Sequence, residues 1–363
     1  MDKGWILDCH LDMESECMSL WVKKDQGGVQ QILMPWSFTI HVHGESHRLD
    51  ELGRALSRPE YQRPFGPLSL RKERHRISHE DSKKEELLAV SLQKPSKIRS
   101  IAEMIDANGS WRNFEIFSVD PKITQKFLLD LKTHPFGRVE ISGDQILPLD
   151  TIDVFDWEIP PLRIIELDVC CMDVNGKRKA SAPISSITIV DKGVINCESQ
   201  SFSQTLVADA YTCSAHMLDD FHRRIEEINP DIVITHDGDN VDIPALIRLA
   251  EQSGMKLNIG RNGRESKTRS KERVNWSYGR ILRKEAYHSL EGRLHIDMGR
   301  SFIAKEGGIE GLIELSRISG LPAADLSRLS PGSAISAMQI RQSIEDGVLI
   351  PWKKNRPEDM KDG

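Results

Sequence analysis

Near its start the chain alternates apolar and polar positions with a period of two. Trp5-Ile-Leu-Asp-Cys-His-Leu, Ser19-Leu-Trp-Val and Phe38-Thr-Ile-His-Val-His each put every second side chain on one face, the pattern of half-buried strands. Asp25-Gln-Gly-Gly28 has the composition of a hairpin loop. Glu86-Leu-Leu-Ala-Val-Ser-Leu and Phe114-Glu-Ile-Phe read as further strands. Pro95 to Met104 and Pro121 to Leu131 read as helices, the first with Ile98, Ile101 and Met104 on one face. Residues 66–86 are dense in both charge signs, with Arg71-Lys-Glu-Arg-His-Arg76 followed by His79-Glu-Asp-Ser-Lys-Lys-Glu-Glu86. That composition predicts a solvated loop, with a phosphate-contacting edge as the alternative. His41 and His43 share a strand face. With no third ligand close by in sequence, they read as surface histidines rather than a metal pair.

The pattern changes after a proline-bounded linker, Asp156-Trp-Glu-Ile-Pro-Pro161. Leu162 to Met172 and Ala182 to Val190 are apolar enough to be buried strands. Ser214 is placed to cap a helix running to Glu227, with Met217, Leu218, Phe221, Ile225 and Ile228 as its apolar stripe. Asn229-Pro230 stops that helix. Ile232, Val233 and Ile234 form a short buried strand, an acidic turn follows, and Ile243-Pro-Ala-Leu-Ile-Arg-Leu-Ala250 opens a helix with proline in its first turn. Strand, strand, helix, strand, helix is the order of an α/β domain. Arg293 to Met298 adds a strand, Leu312 to Pro322 a helix ended by Gly-Leu-Pro, and Pro331 to Ile344 another helix. Leu349 to Glu358 closes as an extended segment.

Composition narrows the classes. The 363 residues are 39% apolar and 29% charged, which suits a soluble protein of two or three domains. The net charge of −6 excludes a polycation, so any nucleic-acid contact must be local. One stretch is clearly basic: Arg261, Arg264, Lys267, Arg269, Lys271, Arg273, Arg280, Arg283 and Lys284 outweigh Glu265 and Glu272, with Trp276 and Tyr278 among them. Cations interleaved with aromatics suit single-stranded nucleic acid, through phosphate contacts and base stacking; a mobile solvated loop is the competing reading. The six cysteines lack a CxxC spacing, and neither a membrane-length apolar run nor a signal peptide is evident. A reduced, cytoplasmic protein is expected.

The acidic turn reads His236-Asp237-Gly238-Asp239-Asn240-Val241-Asp242-Ile243-Pro244, with three carboxylates in seven residues from His236 to Asp242. Taken alone, Asp242 is either a helix N-cap or a metal-binding carboxylate at the carboxyl end of a strand. The stretch resembles the second exonuclease motif of family B DNA polymerases, Tyr-Asn-Gly-Asp-Asn-Phe-Asp, from which His236, Asp237 and Val241 depart. Gly292-Arg-Leu-His-Ile-Asp297 resembles the Gly-Arg-x-x-Ile-Asp segment late in that exonuclease domain, and Glu314 to Glu358 resembles the connector toward the palm. The resemblance implies a β-rich N-terminal domain over 1–155, a ribonuclease H-like exonuclease domain over 156–311, and a connector over 312–363.

It also implies a chemistry, and a gap in it. Family exonucleases use two divalent ions about 3.5–4 Å apart, Mg²⁺ or Mn²⁺, held by converging carboxylates because such ions want hard oxygen ligands. The first motif aligns as Leu167-Asp168-Val169-Cys170, with a thiol where glutamate is expected. The third motif, Tyr-x-x-x-Asp, should follow Asp297, but residues 298–311 contain neither Tyr nor Asp. Asp168 and Asp242 are the carboxylates retained, implying a vestigial catalytic site and weak metal binding. The palm motifs Asp-x-x-Ser-Leu-Tyr-Pro-Ser and Asp-Thr-Asp do not occur.

The expectation is therefore the N-terminal and exonuclease-like part of a family B polymerase, similar to the archaeal branch with inactivated motifs. It would act in replication or repair, bind primer-template or single-stranded DNA through the basic stretch and Asn240, and dock on a palm-bearing chain. Two other readings stay open. One is an active exonuclease that recruits Glu166 or Asp237 as a replacement ligand. The other is an assembly subunit without DNA contact.

Overall fold

The structure is a computed structural model that describes residues 2–352 except 81, 111, 144, 154–156, 198–200, 265–267, 271–272, 278–279 and 285–286. Within 265–286 the description is of backbone strands alone. The N-terminal part opens with a meander, β1 (Asp2–Asp12), β2 (Cys17–Lys24) and β3 (Val29–Met34). Gly27 and Gly28 take positive φ in the loop before β3, as the glycine pair predicts. There follow β4 (Phe38–His43), α1 (Ser46–Leu56), α2 (Pro59–Phe65), β5 (Leu68–His75), β6 (Glu85–Leu92), α3 (Ile98–Asn108), β7 (Glu115–Phe117), α4 (Ile123–Asp130), β8 (Arg138–Ser142) and β9 (Gln145–Pro148). These make two antiparallel sheets, in the orders β3-β2-β1-β8-β9 and β5-β6-β4-β7. The second packs Ile40, Val42, Leu88 and Val90 against Leu49, Leu52, Ile101 and Ile105 of α1 and α3. Residues 68–75, expected as loop, are the edge strand β5, whose charged side chains suit a strand paired on one side only.

The central part is a five-stranded sheet of β10 (Arg163–Cys171), β11 (Ile184–Val194), β12 (Phe202–Val207), β13 (Ile232–Thr235) and, after the short strands β14 to β17 (Thr268–Ser270, Arg273–Ser277, Arg280–Lys284, Tyr287–His288), β18 (Leu294–Asp297). Its order is β12-β11-β10-β13-β18, antiparallel on the β11 side and parallel across β10, β13 and β18. α5 (Ser214–Ile228) and α6 (Ile243–Gln252) cover one face through Leu218, Phe221, Ile225 and Leu246. This is the mixed α/β, ribonuclease H-like arrangement that the motifs imply. α5 is not capped by Ser214, which is its first helical residue; it ends at Asn229 in the left-handed conformation. α7 (Phe302–Ser319) begins ten residues before the apolar pattern predicted and is kinked at Gly308. α8 (Ala323–Leu326) and α9 (Pro331–Glu345) follow, with Ser330 capping α9.

The connector does not stand apart. Leu7, Trp21 and Phe136 of the N-terminal part, Ile232, Leu294 and Ile296 of the central sheet, and Leu312, Ile313, Leu326 and Ala337 of the final helices share one buried cluster. Among the described residues no helix is long and apolar enough to cross a membrane.

Candidate functional site

Alternation along β10 sorts its residues. Ile165, Leu167, Val169 and Cys171 enter the core under α5 and α6, so Glu166, Asp168 and Cys170 fall on the opposite face. Parallel pairing of β10 with β13 brings the turn after β13 beside them. That turn, Gly238–Asp242, is a single π-helical turn running directly into α6. Glycine is required at its start: a Cβ on Gly238 would lie 2.1 Å from Thr235 Oγ1 and 2.6 Å from His295 Nε2.

Asp242 is not an N-cap. Its backbone is already helical, with φ −64° and ψ −56°, and its side chain caps no helix. The carboxylate points back to β10, where Oδ1 accepts from Val169 N at 3.2 Å and from Arg178 Nη2 at 2.5 Å. The same Arg178 nitrogen lies 2.7 Å from Asp168 Oδ1 and 3.1 Å from Val169 O. Asp168 and Asp242 are thus brought together with a guanidinium between them. Asp242 is fully buried while Asp168 is half exposed. Burial pushes the Asp242 carboxyl up to about 7, against the opposing pull of Arg178.

Neither replacement ligand is free. Glu166 accepts from Lys192 Nζ and His236 Nε2, both at 2.9 Å, and these contacts, Lys192 first, hold its carboxyl below the ordinary range despite some burial. Asp237 Oδ1 accepts from Asn240 Nδ2 at 3.1 Å, and Asn240 Oδ1 in turn accepts from Arg300. A pair of hard divalent ions needs several oxygen ligands converging on one spot. Asp242 Oδ2 is buried without a partner, as a vacant ligand atom would be, but it is alone. Asp168 Oδ1 and Asp242 Oδ1 already face one cation, and position 170 offers a thiol. These residues do not fit a two-metal pair.

Behind the site lies a second buried carboxylate, the middle one of the three in the acidic turn. Asp239 is inaccessible to solvent and accepts from Arg328 Nε at 2.8 Å and His288 N at 3.1 Å. Its own N–H donates to Asp297 Oδ2 at 3.0 Å. Burial would raise the Asp239 carboxyl, but Arg328 prevails and holds it below its ordinary value. The spacing that turns Asp242 toward β10 turns Asp239 inward, so it secures the turn. Arg178 is absent from the motifs. Its signal is Asn175-Gly176, a hairpin dipeptide just past the first motif that folds the next residues back along β10.

The basic stretch divides. Arg261 does not belong to a nucleic-acid surface. Its guanidinium is 8% exposed and bonds Asp231 Oδ1 at 2.9 Å, Asn229 Oδ1 at 3.0 Å, and the carbonyls of Pro230 and Gly292. It braces the start of β13. Arg264 reaches Asp12 Oδ2 on β1 at 3.2 Å and stays partly exposed. Lys267 and Tyr278 lie outside the described residues, as do the side chains of Arg269, Trp276, Arg280, Arg283 and Lys284. The described backbone over 273–277 and 280–284 is not the loop of the competing reading: β15 and β16 pair antiparallel, with Arg273 opposite Lys284 and Ser277 opposite Arg280.

Comparison with known proteins agrees with this architecture. Residues 114–306 match the family model for DNA polymerase family B, exonuclease domain. The chain is similar to a DNA polymerase of Pyrococcus glycovorans, 23% identical over 67% of this chain and 35% of that one. It is likewise similar to DNA polymerase 1 of Pyrococcus abyssi, 21% identical over 82% of this chain and 45% of that one. It thus spans less than half the length of these curated relatives. Its fold is similar to the solved family B DNA polymerase of Pyrobaculum calidifontis, with a TM-score of 0.71 at 15% identity, over 98% of this chain and 52% of that one.

Proposed function

The chain belongs to DNA polymerase family B through its exonuclease domain, and from that premise we propose that it is a non-catalytic part of such a polymerase that binds DNA and docks on a palm. In this reading 1–155 is the N-terminal domain, 156–311 a degenerate exonuclease domain and 312–363 the connector, and a cytoplasmic palm-bearing chain is the partner in replication or repair. One observation carries the loss of proofreading: Arg178 sits between Asp168 and Asp242, where the family's chemistry calls for a metal ion. A guanidinium neutralises the two carboxylates but cannot activate a water molecule. Cys170 in place of glutamate supports the same reading. Docking on a palm is supported by the connector helices, which pack into the same buried cluster as the N-terminal part and the central sheet. DNA binding is supported by the cationic composition of the β15–β16 hairpin.

The test is degradation of a 5′-labelled single strand with Mg²⁺ or Mn²⁺, comparing the native chain with Asp242→Ala, alongside DNA affinity measured over a range of salt. We expect no laddering from the 3′ end in either protein. Affinity should fall as salt rises. Neutralising Arg280, Arg283 and Lys284 should flatten that slope by about one for each of the three that grips a phosphate. Laddering that vanishes in Asp242→Ala would overturn the non-catalytic reading. Affinity that is absent, or indifferent to salt and to those three substitutions, would leave an assembly subunit.

A further inference from the structure

The sheet β5-β6-β4-β7 has two faces, and only one is spent on the α1 and α3 core. On the other, His41 of β4 and Arg71 of β5 both pair with Ala89 of the intervening β6. The three therefore share a face, and two residues along β5 come Glu73 and then His75. The methyl group of Ala89 leaves room for the His41 imidazole to lean across the middle strand. His41 Nε2 lies 3.4 Å from Glu73 Oε2, and His75 Nε2 lies 3.1 Å from that same oxygen. The two rings are 4.7 Å apart, inclined at 65°. One ligand atom from each of the three residues falls within 4.8 Å of the others. His41 and His43, the pair that the sequence sets side by side, are thus the wrong pair: the second histidine and the third ligand come from a strand in the stretch expected to be loop.

We propose that His41, Glu73 and His75 form a zinc site, with the imidazole Nε2 atoms and Glu73 Oε2 as ligands and water in the fourth position. Two imidazoles and one carboxylate are a donor set of zinc rather than of magnesium or calcium, which take oxygen. Bonds of about 2.0–2.2 Å in a tetrahedron place neighbouring ligand atoms roughly 3.3–3.5 Å apart, and the two nitrogen–oxygen separations are already 3.1 and 3.4 Å. Arg71 Nη2 holds the other oxygen, Oε1, at 3.3 Å, which leaves Oε2 to act alone and fixes the carboxylate plane. His41 Nδ1 is buried without a hydrogen-bond partner, so with Nε2 on the metal its N–H stays unpaired, a cost that the metal–nitrogen bond has to offset. Burial is graded: the His41 side chain is 9% exposed, Glu73 29% and His75 32%. The site is walled by the sheet and open on the β5 edge, where water completes the coordination. The ion would clamp β4 to the edge strand β5 beside Arg76, whose carbonyl receives Leu349 N from the segment after α9.

The experiment uses the full chain, stripped of metal with a chelator and titrated with Co²⁺, whose visible d–d absorption reports tetrahedral coordination, followed by displacement with Zn²⁺. We expect one bound equivalent, tetrahedral-type bands, and their loss as zinc is added. His75→Ala and Glu73→Gln alter partly exposed side chains and should keep the native circular dichroism. Both should weaken binding by more than the roughly 10–100-fold that loss of a supporting hydrogen bond costs. Asp242→Asn should bind as the native chain does, which separates this site from the carboxylates beside Arg178. Absence of d–d bands and of bound zinc in the native chain, or binding unchanged in folded His75→Ala and Glu73→Gln, would overturn the proposal.

Discussion

Arg178 decides the character of the carboxylate site, and its contribution can be isolated. Asp242 is fully buried, and its Oδ2 has no hydrogen-bond partner, so the guanidinium on Oδ1 is its main compensation. Removing one partner of such a pair ordinarily strands a buried charge. Here burial already pushes the carboxyl up to about 7, so without Arg178 it can take a proton instead of remaining an uncompensated ion. Arg178→Gln should therefore cost only about 1–3 kcal/mol, the scale of an unsatisfied buried polar group. Asp242→Asn made on top should add little further loss, because without Arg178 the carboxyl is already neutral. Urea denaturation of the two single variants and the double variant measures the coupling. Additive effects would mean that the pair is incidental to the fold.

At the scale of elements, the parts that could be read in advance are those whose own residues state their burial. β10, β13 and α5 carry runs or stripes of apolar residues, and the Asn229-Pro230 stop is local chemistry. β5 could not be read that way. Leu-Ser-Leu-Arg-Lys-Glu-Arg-His has the composition of a solvated loop and is a strand only because β6 pairs with it. β3, β8 and β9 are short and equally illegible, since sheet partners far along the chain define them. The site divides on the same line: Asp168 and Asp242 sit in motifs, whereas Arg178 and Arg328 arrive from loops. The network behind the π turn shows what such convergence does. His295 of β18 is fully buried, with Nε2 3.0 Å from Thr235 Oγ1 at the end of β13 and Nδ1 3.1 Å from Arg328 Nη2. Burial first, then Arg328, pushes its imidazole down to about 4. Between about pH 6.5 and about pH 4 the unfolded chain binds a proton there that the folded chain refuses. The stabilisation is therefore complete above that window and is lost as pH falls through it, by about 2 kcal/mol near pH 5. His41, His222 and His288 are also pushed down by burial, so the total acid sensitivity is larger. Urea midpoints at pH 7 and pH 5 for the native chain and His295→Gln should differ in their pH dependence by that amount. Equal dependence would remove His295 from the account.

Across the whole molecule, the segments that motif boundaries mark off at 155 and 311 are not independent bodies. Besides the cluster shared by all three, ionic and polar links cross each boundary. Lys23 Nζ of β2 lies 2.5 Å from Asp231 Oδ2, a fully buried carboxylate that also receives Arg163 N and Arg261 Nη2. Beyond α9 the chain runs back over the N-terminal sheet, where Ser118 N donates to Ile350 O and Trp352 N to Ile116 O. Gln125 of α4 is the tightest link. It is 1% exposed, and its Nε2 donates to Ser319 O at the end of α7 at 2.7 Å and to Ala337 O of α9 at 2.8 Å. Ser319 O is one of the carbonyls that a helix leaves without an internal partner, so the side chain completes α7 from another part of the molecule. A chain joined in this way should unfold in one transition, with tryptophan fluorescence and far-ultraviolet circular dichroism coinciding. Gln125→Ala removes both donors where water cannot replace them and should lower stability by about 1–3 kcal/mol. Because the shared apolar cluster remains, the variant should still unfold in a single step. Two separated transitions in the native chain would show that the N-terminal part and the connector fold apart, and the connector would then be a tether rather than a rigid platform for a palm.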